Sequence, residues 1–353
     1  MPNYFDGTTD EPRIIKREEV LLPDYLPDEL LHRDSELQML ADSIKPLVQK
    51  KTSTNLFIHG CSGTGKTTCV KYILKQLSEY SSSVLPVYIN CWEHSTQLAV
   101  YNKIVEEMRL PLPRRGLATD EVFSRILQYV KNYKKPILIV LDDMDGLRQA
   151  DLLYVLSRSN EKGVVFGVMG IANDKMLLAG LDFRIRSSLR FSELEFKAYS
   201  DEQLFSILRV RADNALASGS YDERLLMKIA RSAEGGSARM AIELLWKAAK
   251  NAEKTGKIKI HIQDAEDVLS SQVSFKLPEL KLSSEELLIL DILKEGELGS
   301  SELYDKFIQK IPKTKRQIRN YLELLERKGV VDSRALDGDG MLRPRVFKLK
   351  NGR

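Results

Sequence analysis

One eight-residue segment limits this chain more than any other: Gly60-Cys61-Ser62-Gly63-Thr64-Gly65-Lys66-Thr67, followed by Thr68. It spells G-x-x-x-x-G-K-T. The apolar residues 55–59 before it read as a buried strand, and residues 68–77 after it carry the pattern of a helix. Glycines let the backbone bend until several N–H groups face one anion, and the helix N-terminus adds a favourable dipole. In that setting Lys66 reaches the outer phosphates of a nucleotide and Thr67 ligates Mg2+. A chance glycine-rich turn would lack the strand on one side and the helix on the other.

The surrounding pattern predicts a sheet to carry this loop. Strands are expected at 84–90, 137–141 and 164–171, with a short one at 189–191. Helical patterns fill the gaps at 34–49, 95–108, 119–132 and 147–157. Alternation of this kind predicts a parallel sheet with helices on both faces. From 199 to 269 the strand signal stops and four helical stretches remain, near 200–217, 220–233, 237–253 and 262–270. A chain of 353 residues has room for two or three domains. The expected division is a loosely ordered 1–13, an α/β domain over 14–197, a small all-α domain over 198–270, a linker over 271–281 and a last unit over 282–353.

Residues 137–141 run Ile-Leu-Ile-Val-Leu and lead into Asp142-Asp143-Met144-Asp145. A central strand that delivers carboxylates at its C-terminal edge suits phosphoryl chemistry. Asp142 binds Mg2+ and the next acid, Asp143, orients the attacking water. A third strand ends in Asn173, a polar side chain able to hold the same water. Arg184 and Arg186 follow on a stretch whose other reading is surface solvation. Arg239 stands in the first turn of a predicted helix after Gly235-Gly236-Ser237. A cation there opposes the helix dipole, which points to an anionic partner.

Positive charge gathers at the C-terminus. Residues 313–353 hold twelve basic and five acidic side chains in a chain whose net charge is only +4. The last unit is laid out as a winged helix. Helices are expected at 284–294, 300–310 and 314–328, then a hairpin of 330–334 with 343–348 across Asp337-Gly338-Asp339-Gly340. Ile318, Leu322 and Leu325 make one buried stripe on the third helix. Lys313 precedes that helix, and Lys315, Arg316 and Arg319 lie on its remaining surface. There they oppose the dipole, and DNA phosphates would compensate. Arg334, Arg343 and Arg345 belong to the wing, which is suited to a minor groove. A winged helix used for protein contacts is the competing reading. Three cysteines without a C-x-x-C pair read as reduced thiols. The first residues lack a basic start and an apolar core, so no secretory leader is expected. No stretch approaches about 18 apolar residues, so no membrane span is expected either.

Taken in order, these motifs resemble the archaeal origin-recognition and cell-division-cycle initiators, AAA+ ATPases with a C-terminal winged helix. The likeness rests on residues 22–27, His32-Arg33, the G-x-x-x-x-G-K-T loop, residues 141–145 and residues 170–174. Residues 181–184, Tyr199 with Arg211, and residues 236–239 complete it. It covers about residues 14–350. The resemblance implies an AAA+ P-loop sheet with helices on both faces, a helical lid and a winged-helix domain. It implies ATP/ADP and Mg2+ as cofactors, with Pro27, His32 and Arg33 around the adenine and ribose. Tyr199 and Arg211 are implied as further nucleotide contacts, Asn173 and Arg239 as the first and second sensors. Arg184, or failing that Arg186, is implied as the finger reaching a neighbouring subunit. The loop carrying Arg114 and Arg115 corresponds to the insertion that meets the duplex. Implied partners are double-stranded origin DNA, paralogous initiator subunits and a replicative helicase, with no membrane. The implied location is the cytoplasm, at the nucleoid.

One position departs from the family, which usually has Glu where this chain has Asp143. Asp is one methylene shorter, so slow hydrolysis is expected, with bound nucleotide acting as a switch. Two alternatives stay open: a nucleotide-holding DNA-binding regulator without initiator activity, and a signalling ATPase whose winged helix binds protein.

Overall fold

A computed structural model describes residues 14–349 other than 50, 52–54, 114–115, 134, 149–150, 160–163, 274–282, 295, 312, 328–329 and 336–344. The expectation for 1–13 therefore lies outside the described residues. The chain divides into two compact units, residues 1–271 and 272–353.

The first unit opens with α1 (Asp34–Val48), β1 (Leu56–His59), α2 (Lys66–Tyr80), β2 (Leu85–Asn90), α3 (Gln97–Glu107), α4 (Thr119–Tyr133) and β3 (Ile137–Asp142). It continues through α5 (Asp151–Arg158), β4 (Phe166–Ala172), α6 (Met176–Gly180), α7 (Phe183–Leu189) and β5 (Ser192–Glu195). The five strands form one parallel sheet in the order β2-β3-β4-β1-β5. Every residue of β3 and β4 is buried, as expected of central strands covered on both faces. One face packs against α3, α4, α5 and α7 through Tyr101, Ile104, Ile126 and Leu152. The other packs against α1 and α2 through Leu40, Leu47, Val70 and Ile73.

The last strand lies three residues beyond its predicted place at 189–191. Leu189 is instead the buried end of α7, and Arg190 caps that helix in the left-handed region at φ 48°. The Asn55 amide donates to the Leu189 carbonyl at 2.7 Å and so ties this turn to β1. The true edge strand, Ser-Glu-Leu-Glu, buries only Leu194, too few apolar residues to announce itself. The helices α6 and α7 were not expected either. The helix predicted from 147 starts at Asp151, after a short 3-10 turn at Met144–Gly146.

The four predicted lid helices are α8 (Asp201–Ala215), α9 (Glu223–Ser232), α10 (Ala238–Lys254) and α11 (Ile262–Val273). Ser200, Asp222 and Ser237 cap the first three with their side-chain oxygens. Leu204, Leu208, Leu226, Ile229, Leu244 and Leu245 form their common core. Residues 14–25 join this core rather than the sheet, contrary to the expected α/β limit of 14–197. Ile14, Ile15, Val20 and Leu21 are all buried in it, with Tyr25 at its edge. Their apolar spacing is too short and irregular to show where they would dock.

The second unit contains α12 (Ser284–Leu293), β6 (Leu298–Gly299), α13 (Ser300–Lys310), α14 (Lys315–Arg327), β7 (Val331–Ala335) and β8 (Arg345–Leu349). Its strands form an antiparallel sheet in the order β6-β8-β7. This is the topology of a winged helix. Ile318, Leu322 and Leu325 are buried as predicted, against Leu303, Phe307 and Phe347. A capping box between Ser283 and Glu286 starts α12. No described helix is long and apolar enough to cross a membrane.

Candidate functional site

The strand order decides which side chains meet. β4 separates β1 from β3, so the tips of all three converge at the carboxyl edge of the sheet, where ligands of open α/β sheets bind. The loop leaving β1 is held by close backbone approach. Gly60, Gly63 and Gly65 have φ of 145°, 81° and 91°. A Cβ on Gly60 would stand 2.3 Å from the Phe196 carbonyl oxygen. One on Gly63 would stand 1.9 Å from Ser237 Oγ, and one on Gly65 2.9 Å from the Tyr199 hydroxyl. The loop thus lies against the lid. The Ala238 N–H, at the start of α10, donates to the Gly63 carbonyl at 3.0 Å. Cys61 and Ser62 are exposed at the loop tip, Thr64 is buried, and Thr68 is half-buried at the start of α2.

Lys66 points back over the loop. Its Nζ donates to the Gly60 and Cys61 carbonyls at 2.6 and 2.9 Å and to Asn173 Oδ1 at 3.0 Å. Burial lowers its pKa, opposed by the charges of Asp142 and Asp143. Thr67 Oγ1 donates to Asp142 at 2.9 and 3.1 Å. Asp142 is buried and also accepts from the Asp143 N–H at 3.0 Å and from the Tyr88 hydroxyl. Asp143 stands in the left-handed region at φ 50°. Burial, with Asp142 and Asp145 nearby, raises its pKa, while Arg239 and Lys66 oppose the rise. The glycine cradle, an ammonium group, and a hydroxyl beside a carboxylate fit a nucleotide polyphosphate with Mg2+. Among the described residues no cluster of three or more His, Cys, Asp or Glu could hold a metal by itself.

The expected base-side residues are placed differently from one another. Pro27 is half-buried and His32 is exposed with φ 59°. Arg33 is buried, with acceptors for four of its five N–H groups. It donates to the Tyr199 hydroxyl at 2.9 Å, Glu36 at 2.6 Å, the Thr64 carbonyl at 2.9 Å and the Lys197 carbonyl at 2.7 Å. Its guanidinium lies 3.9 Å from the Tyr199 ring centre. Arg211 does not join Tyr199. It donates to the Val20 carbonyl at 2.8 Å and covers the Tyr25 ring at 4.6 Å. Arg239 is exposed beside the loop, its Cβ 3.3 Å from the position a Gly63 Cβ would take. Arg184 is exposed and folds onto Asp182 at 3.1 Å, and Arg186 is exposed on the same helix.

In the second unit Lys315, Arg316 and Arg319 are exposed on the N-terminal half of α14. Thr314 opens that helix with a reciprocal bond to Gln317. Lys313 pairs with Glu285 at 3.1 Å, and Arg345 lies 3.8 Å from Glu326. Arg334 is in β7, but its side chain lies outside the described residues, as do Arg114, Arg115 and Arg343. Two participants were missed from sequence: Tyr88 on Asp142 and Glu36 on Arg33. Their side chains are ordinary, and only the long-range packing brings them in.

Two domain families match the chain: the AAA domain over residues 49–173 and the Cdc6 AAA+ ATPase-type lid domain over 205–268. The chain is 31% identical over 347 residues to the ORC1-type DNA replication protein 1 of Sulfurisphaera tokodaii, covering 92% of this chain and 87% of that one. It is 32% identical over 366 residues to the ORC1-type DNA replication protein of Pyrococcus furiosus, covering 96% and 87%. Among solved structures it is similar to the Aeropyrum pernix ORC1 protein in complex with DNA. There the TM-score is 0.80 at 29% identity, over 95% of this chain and 94% of that one.

Proposed function

The chain belongs to the ORC1-type DNA replication proteins, and from that membership we propose an ATP-dependent initiator that binds origin duplex DNA. ATP binding and slow hydrolysis act as its switch for recruiting a replicative helicase. The observation that carries this reading is the direct seat of the phosphate loop on the lid, Ala238 N–H on the Gly63 carbonyl. Nucleotide held there would bear on sheet and lid together.

Bound Mg-ATP supplies a γ-phosphoryl group for transfer to water. Lys66, the loop N–H groups and Arg239 hold the phosphates, while Thr67 and Asp142 hold the metal. Asp143 and Asn173 orient the attacking water, and Arg184, with Arg186 as the other candidate, serves a neighbouring paralogous subunit. Pro27, His32 and Tyr199 enclose the base side, with Arg211 set apart on the Val20 carbonyl and the Tyr25 ring. The functional division we propose is an ATPase unit over 26–197, a lid over 198–270 that also takes in 14–25, a linker over 271–281 and a DNA-binding unit over 282–353. The place of action is the nucleoid, in the cytoplasm.

Lys315, Arg316 and Arg319 make phosphate and groove contacts from α14, with Lys313, Arg334, Arg343 and Arg345 beside them. Arg114 and Arg115 add contacts from the ATPase unit. Exposure of three cations in the first two turns of α14 supports this, because its first turn holds no acidic residue. The test is duplex binding across a salt series. Lys315→Ala and Arg316→Ala should each weaken binding and reduce the salt slope by about 1. An unchanged slope would move the winged helix to protein binding. Asp143 favours one further reading, a regulator that keeps nucleotide without turning it over. Origin firing in cells with and without a Lys66→Ala chain separates the two.

A further inference from the structure

The lid is joined to the sheet layer twice. One connection is expected: residues 196–200 lead from β5 into α8. The other is the N-terminal segment. Residues 14–21 are built into the lid: Lys16 and Arg17 N–H donate to the Ala215 carbonyl, and Ala217 N–H donates to Ile14. Glu18 accepts from Trp246 and from Lys250, both at 2.9 Å. Ile15 N–H donates to Glu253 at 2.8 Å. The chain then crosses back and enters α1 at Asp34, on the sheet side.

Both connections and the phosphate loop meet at one side chain. Arg33 sits where the strap ends. It bonds the Lys197 carbonyl and the Tyr199 hydroxyl on the second connection, the Thr64 carbonyl on the loop and Glu36 on α1. It is 4% exposed, so these bonds have little competition from water. The Tyr199 hydroxyl in turn stands over Gly65, and Gly236 is packed so closely that a Cβ would lie 2.3 Å from the Tyr199 carbonyl oxygen.

We propose that Arg33 is a positioning residue that couples the lid to the phosphate loop, with residues 14–33 acting as a second strap between them. Four of its five N–H groups face protein acceptors, so it acts through the loop and the lid. A planar guanidinium can span three carbonyl or hydroxyl oxygens and a carboxylate at once, whereas an ammonium cannot. Lid position and loop geometry are then set together, and ADP bound at the loop is felt by the strap.

This inference rests on the nucleotide reading above, and the test separates the two. The full-length chain is followed by hydrogen exchange with and without saturating ADP, and by the rate of ADP release. In the wild type, ADP should slow exchange at the loop and also at residues 14–25 and 201–216. In Arg33→Ala, loop protection should persist at saturation, protection of 14–25 should be lost, and release should quicken about tenfold. Arg33→Lys should not restore either. Tyr199→Phe, which deletes one bond of the same node, should show a smaller loss in the same places and covers the case in which Arg33→Ala does not fold. Wild-type protection of the strap in Arg33→Ala or Tyr199→Phe overturns the coupling. So does a wild type that protects its loop but never its strap. A wild type that binds no ADP overturns the nucleotide reading itself.

Discussion

Asp143 and Gly63 show how much one residue decides here. Asp143 holds a left-handed backbone, which Asp tolerates because its short polar side chain bonds locally. Glu would lengthen the carboxylate toward the loop but would resist that conformation. We therefore expect Asp143→Glu to raise ATP turnover by about tenfold or more, given how steeply rate depends on sub-ångström placement. The same change should cost about 1–2 kcal/mol of stability, seen as a lower melting midpoint. A wild type that already turns over quickly would refute the slow-switch reading. Gly63→Ala meets two obstacles, a φ of 81° and Ser237 Oγ at 1.9 Å. It should raise the ADP Kd at least about tenfold, because the loop or the α10 start must yield by about 1–3 kcal/mol. Equilibrium binding checks this. The loop, Asp142, Asp143 and Asn173 were legible from sequence because strand, tip and helix follow one another in the chain. Tyr88 and Glu36 were not, because their partners stand on other elements.

At the scale of elements, buried strands announced themselves and the edge strand did not. β3 and β4 are continuous apolar runs, whereas β5 offers one buried Leu194. Amphipathic α8–α11 and α12–α14 were found within a few residues of their ends, helped by Ser and Asp caps. The strap at 14–21 was hidden for a different reason: its few apolar residues complete another element's core and have no period of their own. Its ionic anchor gives a prediction. Hydrogen bonds from Lys250 and Trp246 lower the Glu18 pKa from 4.5. A lowered carboxylate contributes stability above its unfolded pKa and loses it as pH falls through the folded value. Glu18→Gln should thus melt slightly below wild type near neutral pH. The gap should close once the pH drops below 4.5. Because Glu18 and Lys250 are both more than a third exposed, the effect is expected to stay under about 1 kcal/mol.

Over the whole molecule, the two compact units have separate hydrophobic cores. Damage to one should be felt there first. Leu322→Ala, at a fully enclosed position in the second core, should cost about 2–5 kcal/mol. Calorimetry should show one transition moved down and the other in place, with ADP affinity unchanged and duplex affinity reduced. A single shifted transition, or lost ADP binding, would contradict independent units. The break between the two compact units near residue 271 was readable from the return of strand patterns after a purely helical stretch. That the chain passes through the lid before it builds the sheet was not, since no local signal records a contact between residues 15 and 216.

That contact has a consequence during biosynthesis. Leu216 leaves the ribosome about 200 residues after its bridging partner Ile15. At about 5–20 residues per second, roughly 10–40 s pass before the strap can dock. For that interval Ile14, Ile15, Val20 and Leu21 lack the lid core they later enter. Those four apolar side chains therefore wait for the synthesis of the lid before they can be buried.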